Sequence, residues 1–286
     1  MPPRNVSFEF FPPKSDEGAD RLRRAVRGLS SFAPVLHSIT CAAGGQADGD
    51  PFSDTVRWSG RLHAETRVPS VVHLPLCLFN RHTLEEALDR LRLARLDRVV
   101  LLRGDGGNDH NPGLAGFASV ADAVRHLRAN RFKVAVAAYP ETHPMARDED
   151  ADVDVLLAKF DAGAERAITQ FFFDTSDFLR LRDRVARWSP QARLVAGVMP
   201  IRDFQRTARF ASECGAVIPA RVRRLFETAD GAEALAAAGE TFARQQGAEL
   251  AAEGVADVHI YTLNHDTPSK ALAEAFLELA DAREAA

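Results

Sequence analysis

Residues 5–18 read NVSFEFFPPKSDEG and contain the pattern on which the prediction of the fold rests. Apolar residues at 6, 8 and 10 alternate with Ser7 and Glu9, a period of two that is typical of a β-strand. Pro12 and Pro13 lack a backbone N–H and cannot extend a hydrogen-bonded ladder, so they are expected to end the strand. The first strand therefore places a carboxylate near its carboxyl end, between aromatic residues of the sequence.

Short apolar segments of the same kind recur along the chain. Beyond 5–10, the predicted strands are 35–40, 70–76, 98–102, 133–138, 167–172, 193–198 and 257–262. Helical periodicity lies between most of them, in stretches such as 83–95, 119–129 and 176–187. Helix N-caps are predicted at Thr83, Ser119 and Ser176, with Thr83 and Glu86 forming a capping box.

Eight strands that alternate with helices predict an α/β fold of parallel βα units. The simplest arrangement is a closed eight-stranded parallel βα (TIM) barrel that forms a single domain over residues 1–286. A doubly wound open sheet is the alternative, but the glycine fingerprint that usually follows its first strand is missing.

Composition excludes several functional classes. The chain is 46% hydrophobic and 27% charged, as in ordinary soluble proteins, and its net charge of −4 without any basic run gives no reason to expect a nucleic-acid partner. No apolar run approaches the roughly 20 residues of a membrane span. Three cysteines without paired spacing suggest neither a disulfide framework nor a zinc site. The amino-terminal residues do not resemble a signal peptide, which favours the cytoplasm.

Polar residues recur at the carboxyl ends of most predicted strands. They are Glu9, Thr40, His73, Arg103, Asp105, Tyr139, Glu141, His143, Gln170, Tyr261 and Asn264. In a βα barrel these ends meet on one face, so the pattern predicts a site there. Glu9 could equally be an interior acid paired with an arginine. The spacing of histidine and glutamate in YPETHP does not match a metal site, and no metal is expected.

Six segments together resemble one family in their order and spacing. They are SFEFFPPK at 7–14, LLRGD at 101–105, VAAYPETHP at 136–144, DAGAERAITQFFFD at 161–174, PIRDF at 200–204 and YTLN at 261–264. The chain is identified by them as a member of the methylenetetrahydrofolate reductases. The resemblance implies an eight-stranded barrel that reduces methylenetetrahydrofolate to methyltetrahydrofolate. It also implies, in most members, an FAD that relays hydride from NADH or NADPH.

The resemblance assigns roles to individual residues. Glu9 matches the general acid, Asp105 a contact to the pterin, and Gln170 and Phe204 further substrate contacts, to which Tyr261 is added. The positions that line the flavin in the usual enzymes are Thr40, His73, Tyr139, His143, Ala146, Asp152 and Lys159, with Arg103 beside them. Aromatic surroundings would desolvate Glu9 and favour its neutral form, which can donate the proton that opens the methylene bridge.

The segment before DAGA departs from the family. Flavin-dependent relatives typically read Asp-x-x-Asn-x-x-Arg-Lys there, whereas this chain has Asp152, Val155, Ala158 and Lys159. The diphosphate of FAD needs fixed donors, and each lost charge-assisted contact costs about 1.5–3 kcal/mol. The sequence therefore predicts that hydride passes directly from the nicotinamide to the folate.

Other interpretations of the sequence stay open. An FAD-dependent reductase that alternates between its two substrates is the main alternative; a non-catalytic folate-binding barrel and a reductase of another pterin are further ones. NADH is favoured over NADPH because no arginine cluster suggests a 2′-phosphate site. His265 stands where relatives commonly have a substrate-contacting arginine, so the grip on the glutamate tail is not predicted. An oligomer is possible.

Overall fold

The structure is a computed structural model that describes residues 3–41, 50–104 and 113–284, with side chains described as far as residue 278. Eight parallel strands close into a barrel in which each strand pairs with its neighbours in chain order and the eighth pairs with the first. The strands are β1 (Asn5–Phe10), β2 (His37–Ile39), β3 (Ser70–Pro75), β4 (Arg98–Leu102), β5 (Lys133–Ala138), β6 (Arg166–Thr169), β7 (Leu194–Val198) and β8 (Asp257–Tyr261). This topology confirms the predicted TIM barrel.

Helices follow every strand. They are α1 (Asp16–Leu29), α2 (Pro51–Thr66), α3 (Arg81–Leu93), α4 (Val120–Ala129), α5 (Glu149–Asp161), α6 (Thr175–Trp188), α7 (Phe204–Cys214), α8 (Ala220–Glu227), α9 (Gly231–Ala252) and α10 (Thr267–Glu284). Short 3₁₀ turns occupy Ser30–Phe32 and Leu76–Leu78. Three consecutive helices, α7 to α9, separate β7 from β8. Within the part of the chain that the structure describes, no helix is long and apolar enough to cross a membrane.

Two of the three predicted N-caps are wrong. Ser119 caps α4 as expected, since its hydroxyl accepts from the N–H of Asp122. In α3 the cap is Asn80, whose side chain accepts from the N–H of Thr83 while Thr83 accepts in return from the N–H of Asn80, each at 3.0 Å. The capping box thus starts three residues before the predicted one, because an asparagine side chain can perform the role assigned to threonine. Asp174, rather than Ser176, caps α6.

The interior of the barrel is divided into two levels. The lower level is apolar and consists of Leu36, Val71, Val100, Ala135, Ile168 and Val195. Above it, towards the carboxyl ends of the strands, Glu9 lies in register with Ser38 of β2 and Tyr261 of β8. Because side chains alternate along a strand, Phe8 and Phe10 point the other way and are fully buried among residues of the surrounding helices. The polar residues of the strands are thereby collected on an apolar floor.

Candidate active site

Glu9 lies inside the barrel within contact of three polar side chains. Its Oε2 is 3.2 Å from Nε2 of His73 on β3 and 3.4 Å from Nε2 of His259 on β8. The hydroxyl of Ser38 donates to the same oxygen at 3.4 Å. Glu9 and His73 are each 9% exposed and His259 is fully buried. Side chains from three other strands, two of them histidines, thus converge on one carboxylate oxygen.

The orientation of His259 follows from its neighbours. Ser7 donates its hydroxyl to the carbonyl of Val258 at 3.0 Å, so its oxygen is an acceptor for Nδ1 of His259 at 2.7 Å. With Nδ1 carrying a proton, Nε2 faces Ser38 Oγ at 3.0 Å and, beyond it, Glu9. His259 was missed by the sequence analysis, which considered strand ends only. Its spacing of two residues from Tyr261 was the available signal, since both then face the interior.

The ionisation of Glu9 differs from the prediction. Burial alone would raise the pKa of this carboxyl, but the charges and hydrogen bonds of His73 and His259 outweigh it and lower the pKa from 4.5 to about 2. The expectation of a neutral acid in aromatic surroundings is therefore wrong. The aromatic residues that flank Glu9 in sequence lie on the opposite face of β1, and imidazoles surround the carboxylate instead.

The predicted substrate contacts surround the same end of the barrel. Tyr261 donates its hydroxyl to the carbonyl of Thr169 at 2.7 Å; burial, followed by the negative charge of Glu9, raises its pKa well above the usual value. Gln170 lies just beyond β6 rather than within it, and its Oε1 accepts from the N–H of Phe171. Phe204 begins α7 and stacks on Phe226 at a centroid distance of 4.8 Å. Their contacts to a substrate remain predictions.

Gly197 on β7 lies beside the hydrogen bond by which Tyr261 of β8 reaches the carbonyl of Thr169 on β6. A Cβ atom at this position would lie 2.0 Å from the carbonyl oxygen of Thr169 and 2.9 Å from the hydroxyl of Tyr261. Its N–H donates to Oγ1 of Thr169 at 2.8 Å. Any larger residue would displace the backbone that holds Tyr261, so the site requires glycine here.

Four of the eight predicted cofactor residues lie together, three in the loop between β5 and α5 and one, Asp152, in the first turn of α5. Oδ2 of Asp152 accepts from the N–H of His143 at 2.9 Å, and Nδ1 of His143 accepts from the N–H of Met145. Ala146 donates its N–H to the carbonyl of His143 at 2.8 Å, and the ring of Tyr139 packs edge-on against that of His143. These residues therefore form one folded loop at the mouth of the barrel.

Two further predicted cofactor residues directly follow β2 and β4. The buried hydroxyl of Thr40 has no hydrogen-bond partner among the described residues, and its contact to a cofactor remains a prediction. Arg103 follows β4, with Nη1 2.9 Å from the sulfur of Met145 and Nε buried without a partner. Asp105, the predicted pterin contact, lies outside the described residues.

Helix α5 does not fit the diphosphate of FAD. Its first turn carries Glu149, Asp150 and Asp152, which repel an anion from the helix N-terminus. Lys159, its one basic residue, is largely buried and donates Nζ to the carbonyl of Ala137 at 3.0 Å; burial lowers its pKa. Val155, at the position where the resemblance implies a phosphate-contacting asparagine, is apolar and 54% exposed. The helix therefore offers a phosphate no free cation and no polar donor at that position.

The sequence of the chain matches that of one known protein family. Residues 3–276 match the family described as methylenetetrahydrofolate reductase. The chain is 34% identical over 278 residues to the 5,10-methylenetetrahydrofolate reductase of Escherichia coli (strain K12), covering 94% of this chain and 89% of that protein. It is 32% identical over 277 residues to methylenetetrahydrofolate reductase (NADH) 1 of Arabidopsis thaliana. That match covers 91% of this chain and 46% of the plant protein, so the chain spans about half of the plant protein's length.

Solved structures show the same fold at low identity. A Clostridium thermocellum protein described as binding two copies of 5-methyl-5,6,7,8-tetrahydrofolic acid has a TM-score of 0.68 at 13% identity, covering 98% of this chain and 96% of that one. A dihydropteroate synthase from Xanthomonas albilineans has a TM-score of 0.55 at 15% identity, with coverage of 99% and 94%. At these identities the likeness concerns the barrel alone.

Proposed function

The chain belongs to the methylenetetrahydrofolate reductase family, and from this premise we propose that it reduces 5,10-methylenetetrahydrofolate to 5-methyltetrahydrofolate with hydride taken directly from a reduced nicotinamide. The observation that carries the proposal is the carboxylate of Glu9, held between two histidines at the mouth of a βα barrel. The overall reaction consumes one hydride and one proton. The reaction therefore first requires a group that can supply the proton.

In this proposal the cluster of Glu9, His73 and His259 supplies the proton. The bond between the methylene carbon and one folate nitrogen breaks, the leaving nitrogen gains the proton, and an iminium carbon remains to accept hydride. The proton reaches the substrate through Oε2 of Glu9, the oxygen that both imidazoles face. The carboxylate left behind stabilises the iminium electrostatically. Positioned acid catalysis of this kind contributes about 10²–10⁴-fold in rate.

The hydride donor is assigned from the lack of phosphate-binding side chains on α5. A diphosphate on this helix would meet three acidic residues in the first turn and a lysine engaged elsewhere. Arg103, after β4, is the cation we assign to the phosphates of the nicotinamide dinucleotide. NADH is preferred to NADPH in this proposal, since nothing in the sequence suggests a 2′-phosphate site. Direct transfer requires both substrates at once, with the reacting atoms within about 3–3.5 Å.

An FAD-dependent relay is the competing candidate, and steady-state kinetics of the purified protein without added flavin separate the two. Direct transfer gives intersecting double-reciprocal lines at several folate concentrations, whereas a flavin that is reduced and reoxidised in turn gives parallel lines. Deuterium from a stereospecifically labelled nicotinamide should arrive in the product methyl group without dilution. Parallel lines, label lost to solvent, or a yellow protein that releases FAD on denaturation would reject the flavin-free mechanism.

Glu9→Gln tests the role of the cluster in the same assay. The amide keeps the shape of the side chain but can neither be ionised nor pass a proton, so turnover should fall by about 10²-fold or more while both substrates still bind. Glu17→Gln, on the exposed surface of α1, is the matched control and should leave turnover unchanged. Near-normal turnover of Glu9→Gln would remove Glu9 from the chemistry.

A further inference from the structure

Five buried side-chain atoms of α2, β2 and β3 have no hydrogen-bond partner among the described residues. They are both ring nitrogens of His37, Nε1 of Trp58, and the hydroxyl oxygens of Ser59 and Ser70. All four residues are more than nine-tenths buried. Because nearly all buried polar groups of native proteins are hydrogen-bonded, several such groups on neighbouring elements indicate a ligand that bonds to them.

The pairing of β2 with β3 brings His37 and Ser70 together on the outer side of the barrel. The two residues are partners in the parallel register, so their side chains point to the same face. Ile39, two residues after His37, belongs to the same buried apolar cluster as Trp58 of α2, whereas Ser38 points into the barrel. The face that His37 and Ser70 share is therefore the one that α2 covers.

The level of Ser59 along β2 follows from a hydrogen bond near the start of α2. The hydroxyl of Thr55 lies 2.8 Å from the carbonyl oxygen of Thr40 and bonds to it. Ser59 comes four residues later, which is about 6 Å at ~1.5 Å per helical residue. Because α2 runs antiparallel to β2, the same distance at about 3.3 Å per strand residue leads from Thr40 back to Ser38, next to His37. The buried hydroxyl of Ser59 therefore belongs to the same layer.

The chemistry of these side chains selects an uncharged ligand that both donates and accepts hydrogen bonds. Burial lowers the pKa of His37 to about 4, so at neutral pH its ring has one N–H donor and one acceptor nitrogen. The hydroxyls of Ser59 and Ser70 do both, and none of the three groups carries a charge that would hold an ion. No metal-binding group of three or more His, Cys, Asp or Glu residues occurs in the part of the chain described. Water fits these partners, since a buried water typically makes about three hydrogen bonds.

We propose that the layer between α2 and the strands β2 and β3 binds at least two buried water molecules, which bridge the ring of His37 to the hydroxyls of Ser59 and Ser70. One water is not enough, because the two ring nitrogens lie on different edges of the imidazole. The inference does not depend on the proposed function. The bridges join α2 to the outer side of the strands whose inner side presents Ser38 and His73 to the candidate active site.

A high-resolution crystal structure of the wild-type protein tests the proposal directly. At least two ordered water oxygens should lie about 2.7–3.2 Å from the ring nitrogens of His37 and the hydroxyls of Ser59 and Ser70. In crystals of Ser70→Ala, the water bound to that hydroxyl should be lost or displaced. Fewer than two waters in contact with these groups in the wild type would overturn the inference, including the case in which the ring bonds directly to the hydroxyls.

The sign of a stability change gives a second test. Removing a hydroxyl that bonds to water should raise the equilibrium constant of unfolding about two- to tenfold, the range of one net hydrogen bond, whereas removing an unpartnered hydroxyl should lower it. Urea unfolding would compare Ser70→Ala with the wild type. Ser59→Ala would be compared with Ser212→Ala, the same change at an exposed position of helix α7. A constant that falls in either comparison would overturn the bridge to that hydroxyl.

Coupling between His37 and Ser70 tests whether they share the water. His37→Phe removes both nitrogens and keeps a ring against Phe10, whose centroid is 5.5 Å away. If one water bonds to both side chains, the effect of Ser70→Ala on the unfolding constant should be about two- to tenfold smaller in His37→Phe than in the wild type. Equal effects in the two backgrounds would show that no water connects these side chains and would overturn the proposal.

Discussion

Replacing Glu9 by glutamine also tests whether the carboxylate is ionised in the folded protein. Its pKa is lowered on folding from 4.5 to about 2, chiefly because two buried imidazoles oppose the effect of burial. A pKa lowered to this extent corresponds to at most about 3 kcal/mol of stability at neutral pH, since one pH unit is equivalent to about 1.4 kcal/mol. Glutamine contributes none of this stability, and it leaves His73 and His259 facing a neutral amide.

The contribution has a definite dependence on pH. Because the pKa is lower in the folded state, the stabilisation is complete above pH 4.5 and is lost as the pH falls towards about 2. Between pH 4.5 and about 3.5 the wild type should therefore lose about 1 kcal/mol through this group, and Glu9→Gln should lose nothing at this position. The difference in free energy of unfolding between the wild type and the variant must therefore decrease as the pH falls.

Urea unfolding at several pH values between about 7 and 3.5 measures this difference, because the free energy of unfolding extrapolates linearly from denaturant. Glu17→Gln reports the response to removing a carboxylate from the surface instead of from the barrel. If Glu9 were neutral in the folded protein, its pKa would be raised, and the wild type would gain on the variant as the pH falls. If the difference in free energy of unfolding between wild type and variant stayed constant or increased below pH 4.5, an ionised Glu9 would be refuted. A neutral Glu9 in apolar surroundings would then be favoured.

Three further outcomes are expected. Gly197→Ala should destabilise the fold by about 3 kcal/mol or more, since its Cβ would meet backbone at 2.0 Å; Gly60→Ala, with nothing within 4 Å in α2, should instead raise the denaturation midpoint slightly. Lys159→Met should change the KM for the nicotinamide less than about threefold, because its amine is engaged by the backbone; a salt-dependent rise of tenfold or more would show that Lys159 binds a phosphate. Asp105→Asn should raise the folate KM or lower turnover while nucleotide binding is kept; unchanged values of both would place Asp105 outside the site.

The barrel could be predicted from the sequence because each strand segment has a recognisable hydrophobic pattern of its own. The predicted bounds of β1, β4 and β5 are those observed. Residues 170–172 were also assigned to β6, which ends at Thr169. The phenylalanines that follow Gln170 look the same in sequence whether they pair in a sheet or pack beneath helices. Helices α7 to α9 lie in a stretch for which no helix was predicted, and their burial depends on tertiary contacts.

The site was predictable in location but not in ionisation. The rule that strand ends converge places Glu9, His73 and Tyr261 together. The protonation of Glu9 depends on which residues approach from β3 and β8, and these are 64 and 250 positions away in sequence. The phenylalanines adjacent to Glu9 misled the prediction because alternation turns them towards the helices.

The depth of the cluster limits when its proton can be acquired. Glu9, His73 and His259 lie above an apolar floor and are nearly inaccessible, so the mouth of the barrel is their route to water. In the proposed direct mechanism folate and nicotinamide occupy that mouth together, and bulk water cannot then supply the proton that the leaving nitrogen needs. The proton must be stored before both substrates bind. The two imidazoles lower the pKa of Glu9 to about 2, so this carboxyl does not hold the proton by itself at neutral pH. In the proposed mechanism the cluster passes the proton through Oε2, the atom that both imidazoles face, when the methylene bridge opens.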